Sequence, residues 1–271
     1  MKAACITALA LACGTVQAQE PAKPPAVDGA SARYLLGTSL ATQPEYDGAR
    51  TRETKIKPLW AFKLGRVRIS TSGASALLGF GQEEAGGGAS TAFIDTAKLR
   101  LGVALRMDSG RTSSDASTTR GLPDVRRTLR ARFYTNYSFT KDFNVGATVS
   151  QDLLGRRGGM TMGVDLGLRL YRSPTLEWTS GIGISAANGL NLRSYFGVPE
   201  SAVAASGRPA YEPGAGLKDV NAGVSFIRPI DKHWLVFGSA GVSQLLGPVA
   251  DSPLIERRFG SSASVGLAWR N

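Results

Sequence analysis

Between Phe143 and Leu170 apolar and polar residues alternate with a period of two. Phe143, Val145, Ala147, Val149 and Leu153 alternate with Asn144, Gly146, Thr148, Ser150 and Asp152. After Gly155-Arg-Arg-Gly-Gly159 the pattern resumes, with Met160, Met162, Val164, Leu166, Leu168 and Leu170 against Thr161, Gly163, Asp165, Gly167 and Arg169. Successive side chains on a strand point to opposite faces, so each segment has one greasy face and one wet face that carries charge. Strands of soluble proteins usually run about 5–6 residues. These runs are closer to the roughly 9–11 residues that cross a bilayer at a tilt.

The same alternation predicts strands over 33–42, 54–64, 67–79, 98–107, 126–140, 143–153, 160–170, 176–185, 216–227, 233–246 and 261–270. Short turns at 65–66, 140–142, 172–175 and 228–232 separate them at one end, and long loops at the other. For short and long connections to alternate, one more strand must descend before Lys98. Residues 89–94 supply it, with Asp95-Thr-Ala97 as its turn. The expected fold is therefore all-β: a twelve-stranded antiparallel transmembrane β-barrel with short periplasmic turns and longer extracellular loops. Its apolar face meets lipid, its polar face lines the lumen, and closure leaves no unpaired edge in the hydrocarbon.

Two loops stand out. The segment 108–125 is rich in Ser, Thr, Asp and Arg, too polar to be buried, and is expected to project outward. The segment 186–214 carries Tyr195, Phe196, Pro209 and Tyr211, too apolar for open water. It is expected to fold inward as a lid over the mouth, with Gly197 and Gly207 supplying backbone conformations that other residues resist.

The N-terminus adds a compartment. Lys2, the apolar run 3–14 and Val16-Gln17-Ala18 read as a signal peptide over 1–18, cleaved to leave Gln19. Lipidation at Cys13 is the alternative. Residues 19–32, rich in Pro and Ala, read as a periplasmic tail, and 33–271 as the barrel. Both cysteines, Cys5 and Cys13, lie in the leader, so the mature chain has no disulfide or thiolate-metal site, and the single histidine, His233, excludes a His-rich metal cluster. No cofactor is expected. Loss of Lys2 leaves 31 basic against 21 acidic residues, a net charge of +10. Such an exported chain meets outer-membrane lipid, lipopolysaccharide phosphates, peptidoglycan carboxylates or anionic solutes rather than nucleic acid.

Candidate chemistry is sparse. His233 with a serine and an acid could form a hydrolytic triad, but it adjoins Trp234 after a short turn, where an aromatic girdle belongs. Glu83-Glu84 and Asp251 read as solvated loop acids. Gly181-Ile-Gly183 lies in a strand pattern with no following helix, so it cannot cradle a nucleotide. The inward basic set Lys55, Lys57, Arg100, Arg106, Arg130, Arg132 and Arg169 has two readings. In one it packs the lumen by ion pairs with Asp152, Asp165 and Glu177; in the other it lines an anion-attracting pore.

An ordered set of loop motifs runs along the chain: Pro44-Glu-Tyr46-Asp-Gly48, Tyr195-Phe196-Gly197-Val198, Ser206-Gly207-Arg-Pro209-Ala-Tyr211, Gly214-Ala-Gly-Leu-Lys-Asp219 and Ala250-Asp251-Ser252-Pro253-Leu-Ile255. Together they resemble the MipA/OmpV family of outer-membrane proteins. The departures are the Arg270-Asn271 tail, Gly86-Gly-Gly88 and Arg208, where many relatives have leucine. The resemblance carries over no catalytic residue and implies an outer-membrane barrel, expected to be non-enzymatic, that serves as a scaffold joining a lytic transglycosylase to a penicillin-binding protein in peptidoglycan assembly. A narrow solute channel or a surface adhesin is the alternative.

Overall fold

Each backbone N–H and C=O of a strand in lipid needs a partner on the next strand, and twelve strands meet that demand by closing on themselves. The computed structural model describes residues 34–71, Ala74, Leu77 and 88–271; the expected leader and tail lie outside them. The strands are β1 (Tyr34–Pro44), β2 (Arg52–Leu64), β3 (Val67–Ser70), β4 (Gly88–Asp95), β5 (Leu99–Asp108) and β6 (Thr128–Ser138). They continue as β7 (Phe143–Asp152), β8 (Met160–Ser173), β9 (Leu176–Ala187), β10 (Gly216–Pro229), β11 (Trp234–Leu245) and β12 (Phe259–Arg270). Each pairs antiparallel with its sequence neighbours, and β12 returns to β1 with Leu36 opposite Trp269 and Leu40 opposite Val265. Among the described residues no helix is long and apolar enough to cross a membrane.

The period-two pattern sorts the side chains. Leu36, Leu40, Ile56, Leu105, Phe133, Leu166, Ile182 and Val265 are exposed on the outer surface, Ile56 to 74%. An aromatic belt rings the short-turn end, where Tyr34 and Trp269 lie 5.4 Å apart, Trp178 and Phe226 5.3 Å, and Tyr137 and Phe139 4.8 Å. Inward positions carry small polar groups that bond across strands: Thr179 to Ser225 at 2.7 Å, Ser239 to Ser264 at 2.8 Å and Asn136 to Asn144 at 3.2 Å.

Two expectations are corrected. The strand expected over 67–79 ends at Ser70, and Ala74 and Leu77 are helical. Both are buried against the inward side chains Leu35, Leu59, Ala61, Ile227, Leu235 and Ala268, which form an apolar cluster near the short turns. The alternation of Val67-Arg-Ile-Ser gives way to small residues in which Ala74 and Leu77 stand three apart, a helical spacing. The loop after β5 is not simply a projecting polar segment either: Ala116, Thr118, Thr119, Leu122 and Val125 are buried. Its polar groups satisfy one another. The Thr119 hydroxyl accepts from the Ala116 N–H at 3.2 Å and donates to the Ala116 carbonyl at 3.0 Å, and Asp115 accepts from Thr112 through N–H and hydroxyl at 2.8 and 2.6 Å.

The outer face is a lipid face, so charge placed there is costly and charge placed inside is not. Leu166→Arg in β8 should lose about 2–4 kcal/mol of folding stability in lipid, whereas Asn221→Arg on the inner face of β10 should lose under about 1. Urea titrations in lipid vesicles measure both.

Candidate functional site

Four connections, 45–51, 109–127, 188–215 and 246–258, fold back over one end of the barrel. Helix α1 (Gly189–Phe196) starts at Asn188, whose side-chain oxygen accepts from the Asn191 N–H at 3.0 Å and from the Met160 N–H of β8 at 3.1 Å. Leu192 and Phe196 of this helix are buried against Ala187, Leu245 and Val249, with Tyr46, Tyr195, Ala250 and Ile255 packed around them. A second cluster joins Leu122 from the β5–β6 loop to Val198, Ala202 and Leu254, flanked by Val203 and Tyr211. The chain 188–215 is further tied by a β-bridge between Val198 and Tyr211.

The family motifs meet in this cap. The Tyr46 hydroxyl donates to the Tyr195 carbonyl, and the Tyr46 and Phe196 rings lie 5.9 Å apart. The Ser252 hydroxyl donates to the Phe196 carbonyl at 2.6 Å, and the Tyr211 hydroxyl to the Pro248 carbonyl at 2.7 Å. The Gly48 carbonyl accepts from the Glu256 and Arg257 N–H groups, both at 2.9 Å, and Gly48 itself has φ +88°, a conformation natural to glycine. Arg208 donates to the Pro253 carbonyl, so the departure from leucine has a partner of its own. Asp251 pairs with Arg258 at 3.0 Å on the surface. Pro44 ends β1 at the rim, and Pro209 is exposed.

Gly207 adopts φ +66° at the end of the helical turn Val203–Ser206, as expected. Gly197 does not fit the expectation. Its φ of −85° and ψ of 155° suit any residue. The constraint there is space, since a Cβ would collide with the Arg193 carbonyl oxygen.

The cap is latched to the wall by charge. The Tyr195 hydroxyl donates to both carboxylate oxygens of Asp108 at 3.1 and 3.2 Å, and Asp108 also pairs with Arg130 at 3.3 Å. Arg130 donates to the Gly158 and Gly159 carbonyls at 2.9 and 3.2 Å, and faces Asp152 across β6 and β7. Asp152 in turn accepts from Thr128 at 2.5 Å and from the Gly158 N–H at 2.9 Å. A second latch is Lys218, 3.2 Å from Asp47 of the first loop and 3.7 Å from Asp219, with its ammonium 6.0 Å from the Phe196 ring centroid. Arg111 is 3% exposed and donates to the Pro123 carbonyl at 2.8 Å. Its Nε and Nη1 have no hydrogen-bond partner among the described residues.

The basic residues read as one inward set do not form one cluster. Near the capped end, Lys55 pairs with Glu53 at 2.5 Å, Lys57 donates to Gln43 at 2.9 Å, and Arg106 lies opposite Arg130. Arg132 stands mid-wall, opposite Ala104 and Ser150. At the short-turn end Arg100 pairs with Asp95 at 3.0 Å, and Arg169 with Asp142 and Glu177, both at 3.4 Å. Below the cap is a cavity of about 900 Å³. It runs from Lys98, Lys141 and Asp142 at the short turns, past the hydroxyl and amide groups of Thr179, Ser225 and Asn221, to the underside of Asp47 and Gly48. His233 stacks on Trp269 at 5.4 Å, with its Nδ1 2.9 Å from the Arg270 carbonyl oxygen, in the belt where the sequence places it.

Asp108, Asn188 and Arg111 escape the sequence reading, and Lys218 enters it only as part of the Gly214-Ala-Gly-Leu-Lys-Asp219 motif, without a role. Asn188 before Gly189-Leu-Asn-Leu carries a helix-capping signal; the other three acquire their roles only from long-range contacts.

A closed twelve-stranded barrel with an apolar outer face, an aromatic belt and a polar lumen is a transmembrane barrel of the outer-membrane type. The chain belongs to the family described as MltA-interacting protein MipA, whose model it matches over residues 36–271. It is 25% identical over 158 residues to the MltA-interacting protein of Escherichia coli (strain K12), and equally so to that of Shigella flexneri; each match covers 56% of this chain. The chain thus spans 60% of the length of these curated relatives. Solved structures similar to it include the KdgM porin (TM-score 0.43, 10% identity, 87% of this chain and 98% of that one) and the NanC porin (TM-score 0.47, 8% identity, 87% and 100%).

Two outcomes follow from the cap. Tyr195→Phe removes a hydrogen bond to a carboxylate and should cost about 1.5–3 kcal/mol, read as a lower denaturant midpoint. Burial raises the pKa of Tyr46, with Arg111 opposing it; burial and then Asp108 raise that of Tyr195, and burial raises that of Tyr211. Their unfolded value is the ordinary 10.0, so the stability they contribute is complete below pH 10.0 and is lost as pH rises toward their folded values. Stability measured against pH should therefore fall above pH 10.0, and less steeply in the Tyr46→Phe/Tyr195→Phe double variant.

Proposed function

We propose that the protein is a non-enzymatic scaffold of the outer membrane, with its capped end outside and its short turns in the periplasm, holding a lytic transglycosylase and through it a penicillin-binding synthase. One observation carries this reading. The loop motifs, which in an enzyme or an open pore would present side chains to a substrate, are spent on holding the cap shut: Tyr46, Tyr195, Phe196 and Ser252 bond and pack with one another. The naming of the relatives for an interaction with MltA supports the choice of partner. A barrel so closed leaves its periplasmic side as the surface for assembly.

The cavity of about 900 Å³ favours a second reading, a narrow solute channel. Affinity capture of the detergent-solubilised barrel from envelopes, read by mass spectrometry, separates the two. The scaffold predicts reproducible enrichment of a murein hydrolase or synthase and no stepwise conductance in planar bilayers. Capture of neither enzyme, together with conductance steps, establishes the channel. Deleting 192–210 should open the cap and create conductance where the intact barrel has none; a deletion that leaves conductance unchanged removes the cap from the account.

A further inference from the structure

The five short turns join β2 to β3, β4 to β5, β6 to β7, β8 to β9 and β10 to β11, and every one carries an exposed cation at its tip or flank: Arg66, Lys98, Lys141, Arg172 and Lys232. Because the strands follow sequence order around the closed barrel, these five are distributed around the rim rather than gathered on one side. The acids of the same rim are already engaged. Asp95 pairs with Arg100 at 3.0 Å, Asp142 with Arg169 at 3.4 Å, and Asp231 accepts the His233 and Trp234 N–H groups at 2.7 Å. Arg66, Lys98, Lys141 and Lys232 have no ionic partner among the described residues, and Arg172 reaches Glu177 only at 3.9 Å. With Arg66, Lys98, Arg100, Lys141, Arg169, Arg172 and Lys232 against Asp95, Asp142, Glu177 and Asp231, the rim carries an excess of positive charge, an attractive field for an extended anion.

We propose that this ring is a docking surface for a carboxylate-bearing glycopeptide polymer, the peptidoglycan mesh of the periplasm, which the barrel engages directly as well as through a protein partner. The proposal rests on the orientation given above, with the short turns facing the periplasm. Membrane lipid is the competing anion, and the position of two of the cations argues against it. Lys98 and Lys141 line the mouth of the lumen cavity, on the inner side of the rim, where bilayer headgroups do not reach. A polymer lying across the barrel end touches them together with Arg66, Arg172 and Lys232. Behind them, the lumen wall offers the hydroxyls of Thr179 and Ser225 and the amide of Asn144, groups that bond saccharide and peptide alike.

Co-sedimentation of the full-length barrel in detergent with purified peptidoglycan sacculi tests this. The barrel should pellet with sacculi at low salt, and the bound fraction should fall about tenfold at 0.5 M salt, where the screening length drops to a few ångströms. The fivefold variant Arg66→Glu/Lys98→Glu/Lys141→Glu/Arg172→Glu/Lys232→Glu should lose binding to a similar extent, while Arg126→Glu/Arg127→Glu at the capped end should not. Heat-modifiable migration on gels confirms that each variant is folded; should the fivefold variant fail, Lys98→Gln/Lys141→Gln must still weaken binding. Sacculi whose carboxylates have been amidated should hold the barrel poorly. Equal binding to native and amidated sacculi, or vesicles of anionic phospholipid holding the barrel while sacculi do not, overturns the proposal. Capture of the transglycosylase, measured with the unmodified barrel, is independent: its persistence when that barrel fails to bind sacculi counts against the ring alone, and its loss when sacculi still bind counts against the scaffold alone.

Discussion

Pairing of backbone polar groups in an apolar medium is the constraint on which the rest of the structure depends. An unpaired N–H or C=O in hydrocarbon costs several kcal/mol, and a closed antiparallel barrel removes the edge on which such groups would lie. Closure then dictates the side-chain pattern. One face of every strand is given to lipid and the other to a lumen, which is why Leu166 and Asp165 can be neighbours in sequence. The strands β8 to β12 line the lumen mostly with Gly, Ser, Thr and Asn, with Asp165, Arg169 and Glu177 among them. This leaves the space under the cap open, whereas the opposite end is partly filled by Ala74 and Leu77 against β1, β2 and β10 to β12.

The cap obeys the same rule in a different solvent. Its segments form an apolar core only because their polar groups find partners: Asn188 caps α1, Ser252 serves the Phe196 carbonyl, and Gly48 accepts two N–H groups. Charge fastens that core to the wall. Asp108 receives Tyr195 from the cap and Arg130 from the barrel, so one carboxylate joins the two. The motif residues of the loops therefore act as a structural unit.

Much of this was legible in the chain. Period-two alternation marks all the long strands, and the parity of short and long connections places a strand at 89–94, observed as Gly88–Asp95. The failures lie where long-range contacts decide the outcome. Val67-Arg-Ile-Ser70 alternates, but the residues after it are small and fit either strand or helix, and burial of Ala74 and Leu77 depends on side chains more than a hundred residues away in sequence, such as Ile227 and Leu235. The loop after β5 looks fit only for water by composition; its internal hydrogen bonds and the contact of Leu122 with Leu254 reverse that. Gly197 is required for close approach to Arg193, which no propensity encodes. The inward cations are identifiable by alternation, yet their division between the capped end and the short-turn end appears only when strand direction is known.

Which partners the barrel can meet is set by which end faces which compartment. Single cysteines read by an impermeant maleimide on intact cells decide it. Ser114→Cys and Ala204→Cys, exposed in the cap, should label on whole cells, and Lys141→Cys in a short turn should label only after the outer membrane is permeabilised. Labelling of Lys141→Cys on intact cells with both cap positions silent would invert the barrel and contradict the account.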